Sequence, residues 1–152
     1  MPAKEDKLQE LLDREMIKEL KHRYCFAVDR GTPEDVMALF DEDCSLELVP
    51  GGRENGRGAV RAWYENYIKN MRMTLSRHLI HNQVIEIEGD RARSRCYFDT
   101  AGEVKGVARV SAGFYEDTLV KKGGQWKFRE VIIRMDWRVP LKEGWGGEKF
   151  IL

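Results

Sequence analysis

The sequence lacks both an excess of charge and any long apolar run. Its 26 lysine and arginine residues are balanced by 26 aspartate and glutamate residues, so the totals provide no electrostatic attraction to nucleic acid or to an anionic membrane. No stretch approaches the roughly 18 consecutive apolar residues of a membrane-spanning helix. These absences argue against nucleic acid and membranes as partners and favour a small, neutral or apolar molecule.

Cysteine is scarce, and the common cofactor motifs are missing. The three cysteines, Cys25, Cys44 and Cys96, are odd in number and widely spaced. Together with a charged first segment that does not resemble a signal peptide, they predict reduced thiols in a cytoplasmic protein. His22 and Cys25 have no second pair at the spacing of a zinc site, and neither a dinucleotide-binding glycine loop nor a GxxxxGK[ST] phosphate loop occurs. We therefore expect no metal and no cofactor.

The length and the absence of internal breaks predict one domain. A chain of 152 residues buries about 70% of its unfolded surface, which is enough for one sizeable core. No repeat, low-complexity tract or linker divides it. We expect a single domain over residues 1–152, in which residues 140–152, including Trp145, form a C-terminal arm over the pocket or a neighbouring subunit.

The first half of the chain has the spacing of helices. Apolar residues recur every three or four positions from Glu5 to Arg30, which predicts one long or two abutting amphipathic helices that end at Gly31. Thr32-Pro33-Glu34-Asp35 has the start signals of a short helix through Phe40. A brief strand over Cys44–Val49 and a helix over residues 59–70 follow.

From Thr74 onward the pattern is that of strands. The segments Leu79–Ile87, Arg91–Phe98, Val107–Val120 and Trp126–Val139 are separated by turn signals at Glu88-Gly89-Asp90, Thr100-Ala101-Gly102 and Lys122-Gly123-Gly124. Long antiparallel strands twist and coil, and helices can cover the open side. The sequence thus predicts an α+β fold, a cone-shaped α+β barrel in which N-terminal helices pack on a strongly curved antiparallel sheet around a small apolar pocket.

Three stretches resemble a known family. They are Ile17–Tyr24 leading to Asp29, then Arg77-His78, then Gly113–Asp117 followed by Gln125–Phe128. On these the chain resembles the nuclear-transport-factor-2-like superfamily, and within it the SnoaL-like branch that contains lindane dehydrochlorinase, bile acid 7-alpha-dehydratase and scytalone dehydratase. The resemblance covers most of the chain. It implies a homo-oligomer, with a trimer favoured and a dimer possible, formed through an outer sheet face that we predict to bear Val107, Arg109, Ser111 and Gly113.

The resemblance also implies site residues. The family's catalytic pair, an Asp near the end of the first long helix and a His at the start of a strand, falls on Asp29 and His78, and a pocket tyrosine falls on Tyr24. An acid on the following strand has Asp99 as its nearest match, one residue out of register. With Asp99, the aromatic residues Trp63 and Phe114 are candidates for substrate binding.

The residue types fit proton transfer. Histidine starts with a pKa near neutrality, and an ionised carboxylate on one ring nitrogen fixes its tautomer and stabilises the imidazolium. His78 is then a general base, Asp29 its orienting partner and Tyr24 a donor to the leaving group. A histidine or tyrosine in these places also suits plain packing. His81, at an odd spacing from His78, should face the other side of the sheet.

The sequence therefore predicts a cofactor-independent lyase, a dehydratase or dehydrohalogenase that acts on a small hydrophobic, ring-bearing substrate. The same pair also suits an isomerase or a fragment-releasing lyase. A non-catalytic binding or association module is the alternative from another class, because a fold alone does not decide function.

Overall fold

The computed structural model describes residues 4–146, in which the helices come first and a long sheet follows. The elements, in chain order, are α1 (Lys4–Arg30), α2 (Pro33–Met37), β1 (Phe40–Val49), β2 (Arg53–Asn55), α3 (Arg57–Asn66), a π-helical turn (Tyr67–Met71), β3 (Thr74–Glu88), β4 (Arg91–Val104), β5 (Val107–Lys122), β6 (Gln125–Pro140) and a 3-10 helix (Leu141–Gly146). The predicted helices and strands occur in the predicted order, the short strand β2 is an element that was not predicted, and the predicted strands are longer than expected.

The six strands form one curved, mixed sheet in the order β2-β1-β6-β5-β4-β3. The four long strands are antiparallel neighbours, whereas β1 pairs with β6 in parallel. The α+β fold with N-terminal helices packed on the sheet is confirmed. The sheet is not closed into a barrel, because β2 and β3 remain its two edges.

Helix α1 buries a narrow stripe against the sheet. Its buried residues recur at helical spacing and include Ile17, Leu20, Tyr24 and Val28. The leucines and methionine at positions 8, 11, 12 and 16, which the spacing predicted to be buried, are 39–61% exposed. In this first half of α1 the sheet instead meets the buried Asp13, whose Oδ1 accepts a hydrogen bond from Trp126 Nε1 at 2.8 Å.

The short helix α2 begins as its sequence predicts. Thr32 Oγ1 accepts a hydrogen bond from the Asp35 backbone at 3.2 Å, and Asp35 Oδ2 accepts one from the Thr32 backbone at 2.8 Å. This reciprocal capping box satisfies two donors that the first helical turn leaves without partners. The helix ends at Met37 instead of Phe40, because Phe40 already belongs to β1.

The predicted turn at residues 100–102 is wrong. β4 continues through Gly102, which pairs with Arg109 of β5, and the chain turns at Lys105 and Gly106, both with positive φ. Such a two-residue turn matches the twist of the strands it joins. Gly102 instead permits a close approach, because a Cβ atom there would lie 2.7 Å from Cβ of Met73. The other two predicted turns are confirmed.

The main core lies between α1, α3 and the concave face of the sheet, and its centre is aromatic. Tyr24 contacts the rings of Phe40, Tyr64, Tyr115 and Phe128 at centroid distances of 5.5–6.3 Å. All four contacts are edge-to-face, which is a favourable arrangement for aromatic rings. Over residues 4–146, no helix is both long enough and apolar enough to cross a membrane.

Candidate active site

A cavity of about 140 Å³ lies on the concave face, beneath the helices. Its lining is mainly aromatic and aliphatic, with a few polar groups. It consists of Tyr24, Val28, Leu48, Trp63, Tyr64, Tyr67, Met71, Met73, His78, Phe98, Thr100, Ser111, Tyr115, Ile133, Met135 and Arg138. An apolar pocket with a small number of polar groups is the usual form of a site for a small organic ligand.

His78 and Asp29 meet at the wall of this cavity. His78 Nδ1 lies 2.6 Å from Asp29 Oδ1, and both side chains are 9% exposed. Asp29 Oδ2 accepts a hydrogen bond from the His78 backbone at 2.8 Å, and Oδ1 accepts one from the Ser76 hydroxyl at 2.8 Å. The carboxylate therefore contacts both the ring and the backbone of His78. His78 lines the cavity, whereas Asp29 is not among the lining residues.

The surroundings of Asp29 favour its ionised form. Burial by itself raises the pKa of Asp29, but the hydrogen bonds from His78 and Ser76 outweigh burial, and the pKa lies below its ordinary value. An ionised carboxylate only accepts hydrogen bonds, so the neutral imidazole carries its proton on Nδ1. Nε2 then keeps its lone pair, which is the state of a general base.

Local backbone geometry brings the two residues together. Asp29 lies in the last turn of α1, and Arg72 Nη1 donates to the carbonyl of Gly31 at 2.8 Å, which joins the end of that helix to the segment entering β3. β3 then has one extra residue between Thr74 and Arg77 relative to β4, and Leu75 in this bulge has a φ of 56°. Bulges re-aim side chains and are frequent next to active sites.

Asp99 lies on the opposite face of the sheet. Its carboxylate is 51% exposed, and Oδ2 is 3.1 Å from Nε2 of His81, which is 47% exposed. Successive strand residues alternate between the faces, so the single-residue offset that the sequence showed places Asp99 outside the cavity. The candidate substrate-binding role of Asp99 is therefore wrong in position, whereas the expected outward orientation of His81 is confirmed.

The positions predicted for three residues of β5, namely Phe114, Ser111 and Gly113, are also wrong. Phe114 points away from the cavity and lies with Val84 and Tyr97 in a shallow groove on the convex face. Ser111, expected on the outer face, is 3% exposed and lines the cavity. Gly113 is buried, and a Cβ atom there would lie 2.9 Å from the Phe98 ring.

Tyr24 and Trp63 both line the cavity. The Tyr24 and Tyr64 hydroxyls are 2.8 Å apart, and both residues are 1% exposed. Burial, reinforced by Tyr64 and Tyr115, raises the pKa of Tyr24 well above its ordinary value, so this hydroxyl stays protonated and acts as a donor. The Trp63 ring stacks on Tyr67 at 5.4 Å, and burial raises the pKa of Tyr67 to about 12.

The sequence did not reveal four residues of the site: Ser76, Thr100, Ser111 and Arg138. Thr100 was assigned to a turn, although it continues the buried alternation of Cys96 and Phe98 along β4. Arg138 faces the cavity only because β6 has an extra residue between Met135 and Trp137 relative to β5. The alternation was a readable signal for Thr100, whereas nothing in the sequence pattern indicated the bulge.

A buried ion pair lies directly behind the cavity wall. Lys21 Nζ is 3.1 Å from Oδ1 and 3.0 Å from Oδ2 of Asp117, and both side chains are fully buried. The ammonium also lies 3.4 Å from the ring centroid of Tyr115, which lines the cavity. Burial raises the pKa of Asp117 and Lys21 opposes that rise. This pair accounts structurally for Lys21 and Asp117 in two of the family-like stretches.

No metal-binding cluster of three or more His, Cys, Asp or Glu side chains occurs within residues 4–146. His22 is exposed and Cys25 is buried, so the two point in different directions on α1.

Comparison with known proteins places the chain in a family. The SnoaL-like domain family matches residues 9–132. A comparison with curated proteins finds no significant match.

Solved structures share the fold over most of its length. A candidate scytalone dehydratase from Novosphingobium aromaticivorans is 26% identical, with 86% of this chain and 89% of that chain covered and a TM-score of 0.78. A variant of Rv3472, a protein of unknown function from Mycobacterium tuberculosis, is 26% identical over 88% of this chain and 76% of its own, with a TM-score of 0.77. Hexachlorocyclohexane dehydrochlorinase LinA-type3 from Novosphingobium barchaimii LL02 is 19% identical, with 96% and 99% covered and a TM-score of 0.76.

Proposed function

The chain belongs to the SnoaL-like domain family, within the nuclear-transport-factor-2-like superfamily, and we propose that it is a lyase that eliminates water or halide from a small ring-bearing substrate without a cofactor. The observation that carries the proposal is the buried contact of 2.6 Å between His78 Nδ1 and Asp29 Oδ1 at the wall of an apolar cavity. This contact leaves Nε2 of His78 as the base.

The reaction needs one base and one donor. His78 Nε2 takes a proton from a substrate carbon, and the electron pair of that C–H bond becomes the new double bond. The bond from the neighbouring carbon to the leaving group breaks, and the leaving group departs with that bond's electrons. Asp29 stabilises the resulting imidazolium, as a carboxylate does in a hydrolase triad. The Tyr24–Tyr64 pair supplies a protonated donor for the leaving group.

The cavity limits the size of the substrate. Its volume of about 140 Å³ is close to the roughly 150 Å³ at which an apolar protein cavity takes up benzene. Trp63, Tyr67 and Phe98 provide flat aromatic surfaces on which a ring can pack. A compound with one ring, or one ring of a larger compound whose remainder extends past the exposed Arg138, fits these dimensions.

The relatives support a lyase. A dehydrochlorinase shares the fold, and the protein from Novosphingobium aromaticivorans is described as a scytalone dehydratase candidate. Both names describe elimination, one of chloride and one of water. The substrates of these two proteins are not assigned to this chain. Its own substrate has to be identified by assay.

The test is turnover of hydroxylated and halogenated ring compounds, with loss of water or halide followed by mass spectrometry. We expect His78→Gln to lower kcat/KM by about 10²- to 10⁴-fold, the usual contribution of a general base. His81→Gln, the same change on the outer face, is the matched control and should leave kcat/KM within about twofold, because surface substitutions away from a site have small effects.

Other outcomes select the alternatives. Deuterium uptake from heavy water without loss of a group indicates an isomerase, and release of a carbon fragment indicates a fragment-releasing lyase. Binding without exchange or turnover indicates a binding module. Full activity in His78→Gln contradicts the assigned base.

We propose further that copies of the chain associate through the convex face, as a trimer by preference. Leu79, Val84 and Tyr97 are 53–57% exposed on this face, and such apolar patches suit symmetric association. Light scattering after size-exclusion chromatography gives the oligomeric state. A monomer at micromolar concentration contradicts this proposal of association.

The location of the protein in the cytoplasm also remains a prediction.

A further inference from the structure

One row of side chains crosses four strands on the cavity side of the sheet. By strand register, His78 of β3 pairs with Thr100 of β4, Thr100 with Ser111 of β5, and Ser111 with Arg138 of β6. All four residues line the cavity. Neighbouring strands lie about 4.8 Å apart, so the row joins the base at one end to a guanidinium at the other, with two hydroxyl groups between them.

The two hydroxyl groups together have one proton that is not used in the hydrogen bond between them. Thr100 Oγ1 and Ser111 Oγ are 5% and 3% exposed by residue and hydrogen-bond to each other. Each hydroxyl carries one proton, and the bond between them uses one of the two. Among residues 4–146, neither hydroxyl has a second side-chain or backbone partner. A buried donor without a partner is unfavourable, so the second proton is available to an acceptor in the cavity.

Arg138 adds a positive charge to the same side. It is exposed, and no carboxylate within the described residues pairs with it, although it lines the cavity. Arg134, four residues earlier on β6, is different, because its Nε is 2.5 Å from Oε2 of Glu116. The guanidinium of Arg138 thus keeps its donors for a ligand, and a guanidinium binds planar anionic oxygen groups well.

We propose that Thr100, Ser111 and Arg138 form a subsite for a substrate oxygen atom that carries or develops negative charge. This rests on the proposed function, because the base at the other end of the row generates that charge. When His78 removes a carbon-bound proton, the electron pair moves into an adjacent carbonyl group and gives an enolate oxygen. When the carbonyl reforms, the pair expels the leaving group from the next carbon. Preorganised donors at the developing oxyanion lower such a barrier.

The substrate class follows from this subsite. It is a ring compound whose reacting C–H bond lies next to a carbonyl or carboxylate group, with a hydroxyl or halide leaving group on the adjacent carbon. A compound without such an oxygen atom leaves the buried spare proton without an acceptor and gains no interaction with Arg138. The subsite therefore selects carbonyl-activated substrates over purely halogenated hydrocarbons.

The test uses 4-nitrophenol, whose anion absorbs visible light, as a probe of the empty cavity. Burial in an apolar pocket without donors raises the pKa of a phenol, whereas a cation and hydroxyl donors lower it. We expect the bound phenol to have a lower pKa than in water and the phenolate to bind roughly tenfold tighter than the phenol. Spectrophotometric titration over pH, with and without protein, measures both.

Variants test whether the preference for the phenolate comes from Thr100, Ser111 and Arg138. Arg138→Gln should remove about tenfold in phenolate affinity, and Thr100→Val with Ser111→Ala should also weaken it, because the pair is replaced by apolar groups of similar size. Arg134→Gln, on the same strand but paired with Glu116, is the control and should keep wild-type affinity. Preferential binding of the neutral phenol, or a phenolate preference that survives both changes, overturns the proposal.

The probe separates this subsite from the base. In His78→Gln the phenolate preference should persist; if it disappears, the imidazole holds the anion and the subsite is wrong, whatever the turnover assay shows. If the preference persists but no substrate is turned over by wild-type protein, the proposed function fails and the subsite stands. Displacement of the probe by benzoate, which carries a permanent carboxylate, would further support a subsite for an anionic oxygen.

Discussion

Strand β3 contributes the histidines of two His–Asp pairs, three residues apart and on opposite faces of the sheet. The inner pair joins His78 Nδ1 to Asp29 Oδ1 at 2.6 Å with both side chains 9% exposed, and the outer pair joins His81 Nε2 to Asp99 Oδ2 at 3.1 Å with the side chains 47% and 51% exposed. The chemical groups are the same. Their surroundings differ: the inner pair is buried and its carboxylate has additional hydrogen bonds, and these differences, not residue type, are the basis for proposing His78 and not His81 as the base.

The inner carboxylate is held by more than its histidine. Asp29 also accepts hydrogen bonds from the Ser76 hydroxyl and the His78 backbone, whereas within the described residues Asp99 has only the contact with His81. Solvent screens the outer pair, and exposed ion pairs typically contribute about 0–1 kcal/mol. The inner pair faces an apolar cavity, where electrostatic interactions are stronger.

The largest effect should be on turnover. Asp29→Asn keeps the shape of the side chain but removes the charge that holds the proton on Nδ1 of His78 and stabilises the imidazolium. We expect kcat/KM to fall by roughly 10²- to 10⁴-fold, by analogy with the loss of a triad carboxylate. Asp99→Asn, the matched change in the outer pair, should alter kcat/KM by less than about twofold. Equal losses in the two variants would show that the inner pair has no special role.

Stability should show the second largest difference. Asp29→Ala leaves the Ser76 hydroxyl, the His78 backbone N–H and Nδ1 without their acceptor at a site that is mostly buried. A buried group without its partner costs about 1–3 kcal/mol, so we expect a loss of about 3 kcal/mol in the free energy of unfolding. Asp99→Ala should cost at most about 1 kcal/mol.

Urea denaturation followed by circular dichroism gives both values. If Asp29→Ala and Asp99→Ala unfold with the same urea midpoint and slope, the additional hydrogen bonds of the inner carboxylate contribute nothing to the free energy of unfolding, and the predicted difference between the pairs is wrong.

A smaller effect on the free energy of unfolding should appear at acidic pH. The pKa of Asp29 is lower in the folded protein than its ordinary value of 3.8, so the folded state favours the ionised form. This stabilisation is fully present well above pH 3.8 and is lost as the pH falls through the lower folded pKa. The stability gap between wild type and Asp29→Asn should therefore narrow as the pH falls from about 5 towards 2. Thermal unfolding at each pH measures the gap, and a gap that widens in acid would mean that the pKa is raised.

Much of the difference between the inner and outer His–Asp pairs could be predicted from the sequence alone. A histidine three residues from another on a strand must face the opposite side, which separated His78 from His81. The one-residue offset of Asp99 gave the same information for the carboxylate. The early part of the fold was equally readable, because α1 and α2 have periodic apolar residues and local start signals that depend only on neighbouring residues.

What the sequence did not indicate depends on contacts between distant segments. The bulge at Leu75 aims Ser76 and His78 inwards, and the extra residue in β6 aims Arg138 inwards. Neither has a glycine or proline as a local signal. Gly102 was misread as a turn, because a glycine that permits close packing against Met73 looks the same in sequence as one that permits a turn. The α+β order was therefore predictable, but the full cavity lining was not.

The smallest expected effect concerns the outer pair itself. His81→Gln and Asp99→Asn should each change the free energy of unfolding by less than about 1 kcal/mol, and their combination should show a coupling energy that shrinks at high salt, because charges exposed to solvent are screened. A double-mutant cycle in low salt and in 1 M salt measures this coupling. The corresponding cycle for His78→Gln and Asp29→Asn should show a larger coupling with weaker salt dependence, since solvent ions have little access to side chains that are 9% exposed. If the outer coupling is as large and as insensitive to salt as the inner one, burial does not distinguish the two pairs, and only the position of His78 at the cavity wall separates it from His81.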